Sequence, residues 1–366
     1  ASLMNIFGLQ DIAETINSFA SEDLKDHYLP KFASGEVTGA MALTEPDAGS
    51  DLTNVQLRAT KEKDGDMWRL NGVKRFITNG CADVQLVLAR SEPDTAGARG
   101  LSLFLCEGGP SLRVRRLEDK MGIHGSPTCE LQYNDVPAHL IGRRKRGLTK
   151  YVLSLMNGAR LGIAAQGVGI AQAAFSDALE YAEERVQFGE EIRMFPAVRR
   201  MLARMHMKVE TARLLLFEAS RVVDMYDNLN ELYEEDIELD GFPAGKELRR
   251  ESKDYRRLAS ALTPMVKYYA TEICNEVCYD AIQVLGGSGY MKDYDVERYY
   301  RDARITTIYE GTTEIQYNAA LRYVVSGVLE DRFEELHEQN RGSHPWMLKR
   351  LAEAREHLQE AVDYAQ

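Results

Sequence analysis

Hydrophobic positions along the chain change their period twice, and each change marks a different kind of structure. Over residues 1–35, Leu9, Ile12, Ala13, Ile16 and Phe19 recur near every 3.6 residues, which predicts helical pieces. In His27-Tyr28-Leu29-Pro30, the proline has no backbone donor and restricts Leu29, so a break is expected there. From about Glu36 to Gly142 the runs are short: 55–59, 67–70, 85–89 and 103–106. They are separated by the turn signals Asp64-Gly65-Asp66, Asn71-Gly72, Asn79-Gly80 and Gly108-Gly109-Pro110. That texture predicts an antiparallel all-β domain. From Gly147 onward helical periodicity returns through Leu155, Leu161, Ala165, Val168, Ala171, Phe175, Leu179 and Ala182. It continues through Val198, Leu202, Met205, Val209, Ala212 and Leu216, and again from Val266 to Leu285. Long helices with short connections predict a bundle.

Charge refines this division. The basic run Arg143-Arg144-Lys145-Arg146 reads as a solvated linker at the exit of the β domain. Between Asp227 and Asp240 there are seven acidic residues and no basic ones, followed by six basic residues among three acids from Lys246 to Arg257. Residues 227–254 are therefore expected to form an inserted, solvated hairpin or loop. Pro345 opens a further amphipathic stretch through Leu348, Leu351, Ala354, Leu358 and Val362. The expected organisation is residues 1–35, a β domain at 36–146, a helical bundle at 147–330 and a helical extension at 331–366, an α+β chain.

Composition narrows the function classes. With 366 residues, 44% hydrophobic and 28% charged, the chain has room for two or three domains and the make-up of a folded globule. Its net charge of −12 argues against nucleic acid as the main partner, because neutralising phosphates needs an excess of Lys and Arg. No run has the length of a transmembrane segment. The start, Ala1-Ser2-Leu3-Met4, lacks the features of a signal peptide, so an intracellular protein is expected. Cys81, Cys106, Cys129, Cys274 and Cys278 form no disulfide ladder and no zinc set, and read as reduced thiols; no metal is expected.

Three segments carry candidate chemistry, each beside a plainer alternative. Thr44-Glu45-Pro46-Asp47-Ala48-Gly49-Ser50-Asp51 is a strand end entering a polar loop. It reads equally as a β-turn with Asx bonding or as a loop whose hydroxyls (Thr44, Ser50) donate to a ring or phosphate. Gln283-Val284-Leu285-Gly286-Gly287-Ser288-Gly289-Tyr290 ends a helix, so its glycines cap that helix or let backbone approach a diphosphate. In Ile308-Tyr309-Glu310-Gly311-Thr312, Glu310 is either a helix N-terminal carboxylate, with Thr312 or Thr313 as cap, or a general base raised by apolar surroundings.

Together these segments resemble the acyl-CoA dehydrogenase family. The loop at 44–51 matches its first signature. Gln283 to Tyr290, continuing to Asp293, Arg298 and Asp302, matches its second, and 308–312 its catalytic segment. Arg75-Phe76-Ile77-Thr78-Asn79-Gly80 is similar to its flavin-facing strand. Glu184-Arg185-Val186-Gln187-Phe188-Gly189 is similar to the helix end at the cofactor diphosphate. The resemblance is collinear from about Asp23 to Val328. It implies FAD between a barrel-like or sandwich β domain and a helical bundle, with 1–35 a remnant of an N-terminal helical domain.

The roles that the resemblance implies are specific. Thr44, Ile77 and Thr78 would meet the flavin ring, and Phe76 would pack where family members often carry Trp. Arg185, Gln187, Phe188, Gln283, Gly286 and Gly287 would hold the diphosphate and adenosine end, typically from a neighbouring subunit, with Thr312 and Glu314 completing that side. Ser50, Asn157, Arg160 and Gly311 would contact the substrate. Glu310 would take the α-proton of an acyl-CoA thioester while hydride leaves the β-carbon for the flavin, giving trans-2-enoyl-CoA. The Glu310 amide and a flavin hydroxyl would polarise the thioester oxygen.

The implied partners are acyl-CoA, an electron-transferring flavoprotein and further copies of the chain, in a bacterial cytoplasm or, in a eukaryote, the mitochondrial matrix, within fatty acid β-oxidation. The 227–254 insertion and the helix after Pro345 resemble longer bacterial members with a C-terminal helical extension, and the match departs from the family pattern at two other places. Only 43 residues precede Thr44, which implies a fragment or a protein without the N-terminal layer, and Pro196 stands where many members carry Gln. An acyl-CoA oxidase and a non-catalytic, flavin-binding or DNA-associated relative are the alternatives.

Overall fold

The computed structural model of the chain describes residues 2–234, 245–339, 342 and 345–365, without the side chains of 2–10, 157, 331, 361 and 365. The chain divides into two compact units, Ala1–Gly162 and Ile163–Gln366.

In the first unit, helices α1 (Ser2–Phe19) and α2 (Glu22–Ser34) precede a seven-stranded sheet. Pro30 lies inside α2 and does not break it; Gly35, at φ +75°, ends the helix. Proline removes a single hydrogen bond near the C-terminal end. Buried Tyr28, with its hydroxyl donating to Glu107 Oε1 at 2.9 Å, anchors the helix against that loss.

The strands are β1 (Gly39–Ala42), β2 (Arg58–Lys61), β3 (Trp68–Thr78), β4 (Val84–Arg90), β5 (Leu101–Glu107), β6 (Leu112–Leu117) and β7 (Thr128–Ile141). Antiparallel pairs join β2 to β3, β3 to β7, β7 to β5 and β5 to β4, and a parallel bridge between Arg58 and Arg90 closes the ring. β6 adds antiparallel to β7, and β1 adds to β4 in parallel, Gly39 opposite Val84. The domain is therefore a barrel-like mixed sheet and not the purely antiparallel one expected. Alternation within a strand says which face is buried but not which neighbour it pairs with, and parallel partners are joined only through long connections.

β4 and β5 read as unbroken apolar runs because both of their faces are covered. Val87, Ala89, Phe104 and Cys106 enter the barrel core. Val84, Leu86, Leu88, Leu101, Leu103 and Leu105 face outward against Ile12 and Ile16 of α1, Tyr28 of α2, and Leu148, Tyr151 and Val152. Those last three belong to a π turn over Gly147–Val152 that leads into α3 (Leu153–Glu184).

One charged group sits inside this apolar unit. Lys74 on β3 is fully buried, and its Nζ donates to the Leu43 carbonyl at 2.7 Å and to Glu45 Oε1 at 2.9 Å. Glu45 in turn accepts from the Gln56 and Leu57 amides at 2.7 and 2.9 Å. Burial pushes the Lys74 ammonium down to about 8 against the pull of Glu45, so Lys74 stays charged at neutral pH. The ladder between β3 and β7 shifts register between Lys74 and Ile77, a bulge at which Phe76 takes φ +59°.

In the second unit, β8 (Val186–Gln187) and β9 (Glu190–Glu191) form a short ribbon after α3. They are followed by α4 (Pro196–Glu234), α5 (Gly245–Leu285), α6 (Val296–Ala303), α7 (Thr313–Val324), α8 (Val328–Gln339) and α9 (Pro345–Ala365). Of the expected insertion, 227–234 and 245–254 are the ends of α4 and α5, and 235–244 lie outside the described residues. Buried Leu202, Met205, Val209, Ala212, Leu216 and Ala219 form the stripe by which α4 meets α5, with Arg204 on Asp280 at 2.8 Å and Lys208 on Glu276 at its edge. Much of the buried stripe of α3 consists of small residues, among them Ala164, Ala171, Ala174, Ala178 and Ala182. Small residues let helices approach closely: a Cβ on Gly167 would stand 3.1 Å from the Ala270 carbonyl oxygen of α5.

Removing the buried ammonium leaves the Glu45 carboxylate without its cation. Lys74→Met is expected to lower the unfolding free energy by about 3–5 kcal/mol, measured by urea titration; a loss under about 1 kcal/mol would show that the pair is not a structural anchor.

Candidate active site

Each unit carries its own group of the sequence-identified residues. In the first unit, Thr44 leaves β1 and enters a tight turn in which Glu45 N–H donates to the Ala48 carbonyl at 3.0 Å and Ala48 N–H returns to Glu45 at 3.2 Å. Asp51 then accepts from the Thr53 amide at 3.0 Å, so both the β-turn and the Asx bonding foreseen for this loop are present. The Arg75 amide donates to the Thr44 carbonyl at 2.9 Å, which binds the loop to the end of β3 that carries Phe76, Ile77 and Thr78. Phe76 is 55% exposed at its bulge, while Ile77 points into the barrel core, so any contact it makes with a ligand is through backbone. The hydroxyls of Thr44 and Thr78, both half-buried, find no partner among the described residues. Ser50 is exposed, Arg160 is half-buried on α3, and the side chain of Asn157 is outside the description.

In the second unit, the end of α3 and the glycine loop come together. Tyr181 donates to the Ser288 hydroxyl at 3.2 Å and stands edge-on to Tyr294. Arg185, Gln187 and Phe188 follow on the ribbon, all exposed, with Phe188 97% exposed at φ +51°. Gly286, at φ +61°, ends α5 next to Gly287, and a Cβ on either would meet nothing within 4 Å. The glycines therefore cap the helix and leave an open stretch of backbone beside exposed Gln283.

The third segment is the most constrained. Glu310 adopts φ +52°, outside the usual region for a residue with a side chain, and Gly311 follows at φ +87°. Gln316 Nε2 donates to the Glu310 carbonyl at 2.9 Å and to the Gly311 carbonyl at 3.0 Å, and Lys267 Nζ donates to the Gly311 carbonyl at 2.7 Å. Tyr309 donates to Gln166 Oε1 of α3, and Thr313 to Glu272 Oε1 of α5. Burial, with the charge of Glu310 added, pushes the Tyr309 phenol well above its ordinary range. Thr312 is the N-cap of α7, accepting from the Ile315 amide at 3.4 Å. The capping role and the strained carboxylate thus coexist, on neighbouring residues. Bonds to its own amide and to Thr312 hold the Glu314 carboxyl below its usual range.

Thr312 and Glu314 line a groove of about 640 Å³ together with Arg204, Lys208, Tyr279 and Tyr300. Arg185, Gln187, Gln283, Gly286 and Gly287 are not in its lining.

With this geometry in view, comparison with known proteins is decisive. Residues 40–136 match the acyl-CoA dehydrogenase middle domain and residues 161–314 the acyl-CoA dehydrogenase C-terminal domain. An acyl-CoA dehydrogenase of Bacillus subtilis is 39% identical over 314 residues, covering 84% of this chain and 74% of that protein. The chain belongs to the acyl-CoA dehydrogenase family. The butyryl-CoA dehydrogenase structure from Megasphaera elsdenii superposes with a TM-score of 0.74 at 35% identity, covering 86% of this chain and 76% of that one. A chain of the structure described as the electron transferring flavoprotein of Acidaminococcus fermentans gives the same TM-score at 36% identity, covering 87% and 76%.

As an acyl-CoA dehydrogenase the protein is an FAD-dependent oxidoreductase, and its residues fit that group. Half-buried hydroxyls without protein partners suit the heteroatoms of a flavin ring, an exposed phenyl suits its flat face, and open glycine backbone suits a diphosphate. Among the described residues, no helix is long and apolar enough to cross a membrane.

Reading motifs alone did not single out Lys74, Lys267, Gln316 or Gln166. Lys267 had a legible signal: it lies between Val266 and Ala270 on the buried stripe of α5, where a lysine is out of place. The other three had none, since their partners are backbone carbonyls or side chains distant in sequence.

Gly311 has neither the conformational freedom nor the space for a side chain, because a Cβ there would stand 2.5 Å from Gln316 Nε2. Gly311→Ala is expected to lower the unfolding free energy by about 1–2 kcal/mol and, through displacement of Gln316, to slow flavin reduction at least tenfold (about the effect of a small misplacement of a catalytic group). Anaerobic stopped-flow absorbance reads the rate; an unchanged rate would show that the turn tolerates a side chain.

Proposed function

We propose that the protein dehydrogenates a short acyl-CoA thioester to the trans-2-enoyl-CoA, with Glu310 as the base, and passes the electrons to an electron-transferring flavoprotein. The observation that carries the reading is Glu310 itself, a half-buried carboxylate held at φ +52° by hydrogen bonds from two buried side chains. Backbone strain of this kind persists only where the surroundings over-determine it, and it concentrates at sites of chemistry. Likeness to the butyryl-CoA dehydrogenase supports a short acyl chain, and likeness to a chain of the flavoprotein structure supports the acceptor.

The chain's residues divide the work. Glu310 takes the α-proton; this proton is too weakly acidic for a carboxylate in water, so fixed donors must polarise the thioester oxygen. FAD, when bound, would supply the acceptor for the hydride that leaves the β-carbon. Thr44 and Thr78 would donate to the flavin ring, with the Ile77 backbone and Phe76 as its other contacts. Arg185, Gln187, Phe188, Gln283, Gly286 and Gly287 would hold the diphosphate and adenosine end, with Thr312 and Glu314. Ser50, Asn157, Arg160 and Gly311 meet the CoA thioester. The exposure of Phe188, Val186 and Met194 around the ribbon supports a homo-oligomer in which a second copy covers them.

The test is anaerobic bleaching of the flavin by butyryl-, octanoyl- and palmitoyl-CoA. Butyryl-CoA should bleach fastest, and Glu310→Gln should keep its FAD and lose at least about 10³-fold in rate, within the usual share of one acid–base group. Near-normal bleaching by that variant would remove Glu310 as the base, and failure of all three thioesters with the parent protein would remove the activity. Reoxidation faster by air than by an electron-transferring flavoprotein would make the protein an oxidase.

A further inference from the structure

We propose that Lys267 and Gln316 are positioning residues for Glu310, which lock the Glu310–Gly311 pair in its left-handed turn and thereby aim the carboxylate. The inference rests on Glu310 being the base.

Two consecutive residues at positive φ, the first of them a glutamate, do not persist by local preference: steric contact between Cβ and the carbonyl drives such a residue back to the right-handed region. The two carbonyls that this turn exposes are the handles by which it is held. One amide group, Gln316 Nε2, spans both, at 2.9 Å to Glu310 and 3.0 Å to Gly311. The Lys267 ammonium takes the second carbonyl from the opposite side of the sequence, at 2.7 Å. Both side chains are fully buried, so water does not replace a bond that is lost.

The two donors are themselves fixed. Gln316 lies in the first turns of α7, where its amide donates to the Thr312 carbonyl at 2.9 Å. Lys267 lies on α5, five residues before Glu272, which accepts from Thr313. The turn is thus triangulated between two helices at Gly311, Thr313 and Gln316, and Tyr309 ties its other end to α3. A carboxylate on such a turn has its Cα–Cβ direction set by the backbone, leaving only its own rotamers to vary. Neither residue is needed to bind a thioester; both are needed to point the base.

The experiment uses the full chain loaded with FAD, in the variants Lys267→Met and Gln316→Met, each close in size and without a donor. The probe is 3,3-dimethylbutyryl-CoA, which has α-protons and no β-hydrogen, so proton removal is read without dehydrogenation as exchange of its α-protons into D2O by NMR. Both variants should slow exchange about 10–100-fold, the range for a misplaced catalytic group, with FAD occupancy and the dissociation constant of the thioester within about threefold of the parent, as expected where ground-state binding is untouched. Exchange at the parent rate in folded variants overturns the proposal. Loss of exchange in step with loss of FAD, or failure of both variants to fold, also overturns it, as the mark of a purely structural pair. Glu310→Gln separates the premise from the inference: if that variant still exchanges at the parent rate, the base assignment fails. If it does not exchange while the two methionine variants do, the positioning role alone fails.

Discussion

In each unit a fully buried lysine donates, at 2.7 Å, to a main-chain carbonyl of the loop that carries the candidate chemistry: Lys74 to Leu43, just before Thr44, and Lys267 to Gly311, just after Glu310. An ammonium taken out of water must find oxygen acceptors or lose its proton, and breaking the contact leaves a buried charge unmet. That makes the contact costly to open, which is what a loop holding a reactive group requires. The lysine stem has a second use, since four methylenes pack against apolar neighbours while only the tip is polar. A loop can therefore be held from inside a core without a polar channel leading to it.

Both anchors sit beside backbone strain. Phe76 at φ +59° lies two residues after Lys74, and Glu310 at φ +52° directly before the carbonyl that Lys267 holds. The bulge at Phe76 turns an aromatic outward from a strand whose neighbouring residues, Lys74 and Ile77, are buried. The turn at Glu310 does the same for a carboxylate at the mouth of a helix. Each strained residue costs stability and survives because the contacts on either side of it leave the backbone no relaxed alternative.

The helices of the second unit were legible because α4 and α5 repeat apolar residues at the helical period over many turns, as Leu202, Met205, Val209, Ala212 and Leu216 do. The candidate chemistry is read from residues adjacent in sequence, such as Ile308 to Thr312. What was not legible depends on pairing. The closure of the barrel rests on a parallel bridge between Arg58 and Arg90, 32 positions apart, and β7 hides its 14 residues behind Asn134, Asp135 and Pro137, which read locally as a turn. Pro30 misled for a related reason, since local propensity argued for a break while Tyr28 was held by Glu107 on β5. Lys267 and Gln316 escaped notice because their partners are carbonyls, which every residue has.

The charge of −12 raises a question that the geometry answers. An acyl-CoA and FAD are both anionic, and an acidic chain would repel them unless cations were gathered locally. In the groove beside Thr312 they are not in excess: Arg204 is paired with Asp280 and Lys208 with Glu276, and Glu272 and Glu314 add further negative charge. Among the contacts proposed for the diphosphate, Arg185 is the one cation, and the rest of the recognition falls to uncharged donors. The open backbone at Gly286 and Gly287, where a left-handed residue is followed by a second one without a side chain, is suited to that task, because amide groups lend partial positive charge without a counter-ion to displace. Such a site is insensitive to the net charge of the chain. That is why the acidic total, to which residues 227–240 contribute seven acids, is compatible with polyanionic ligands.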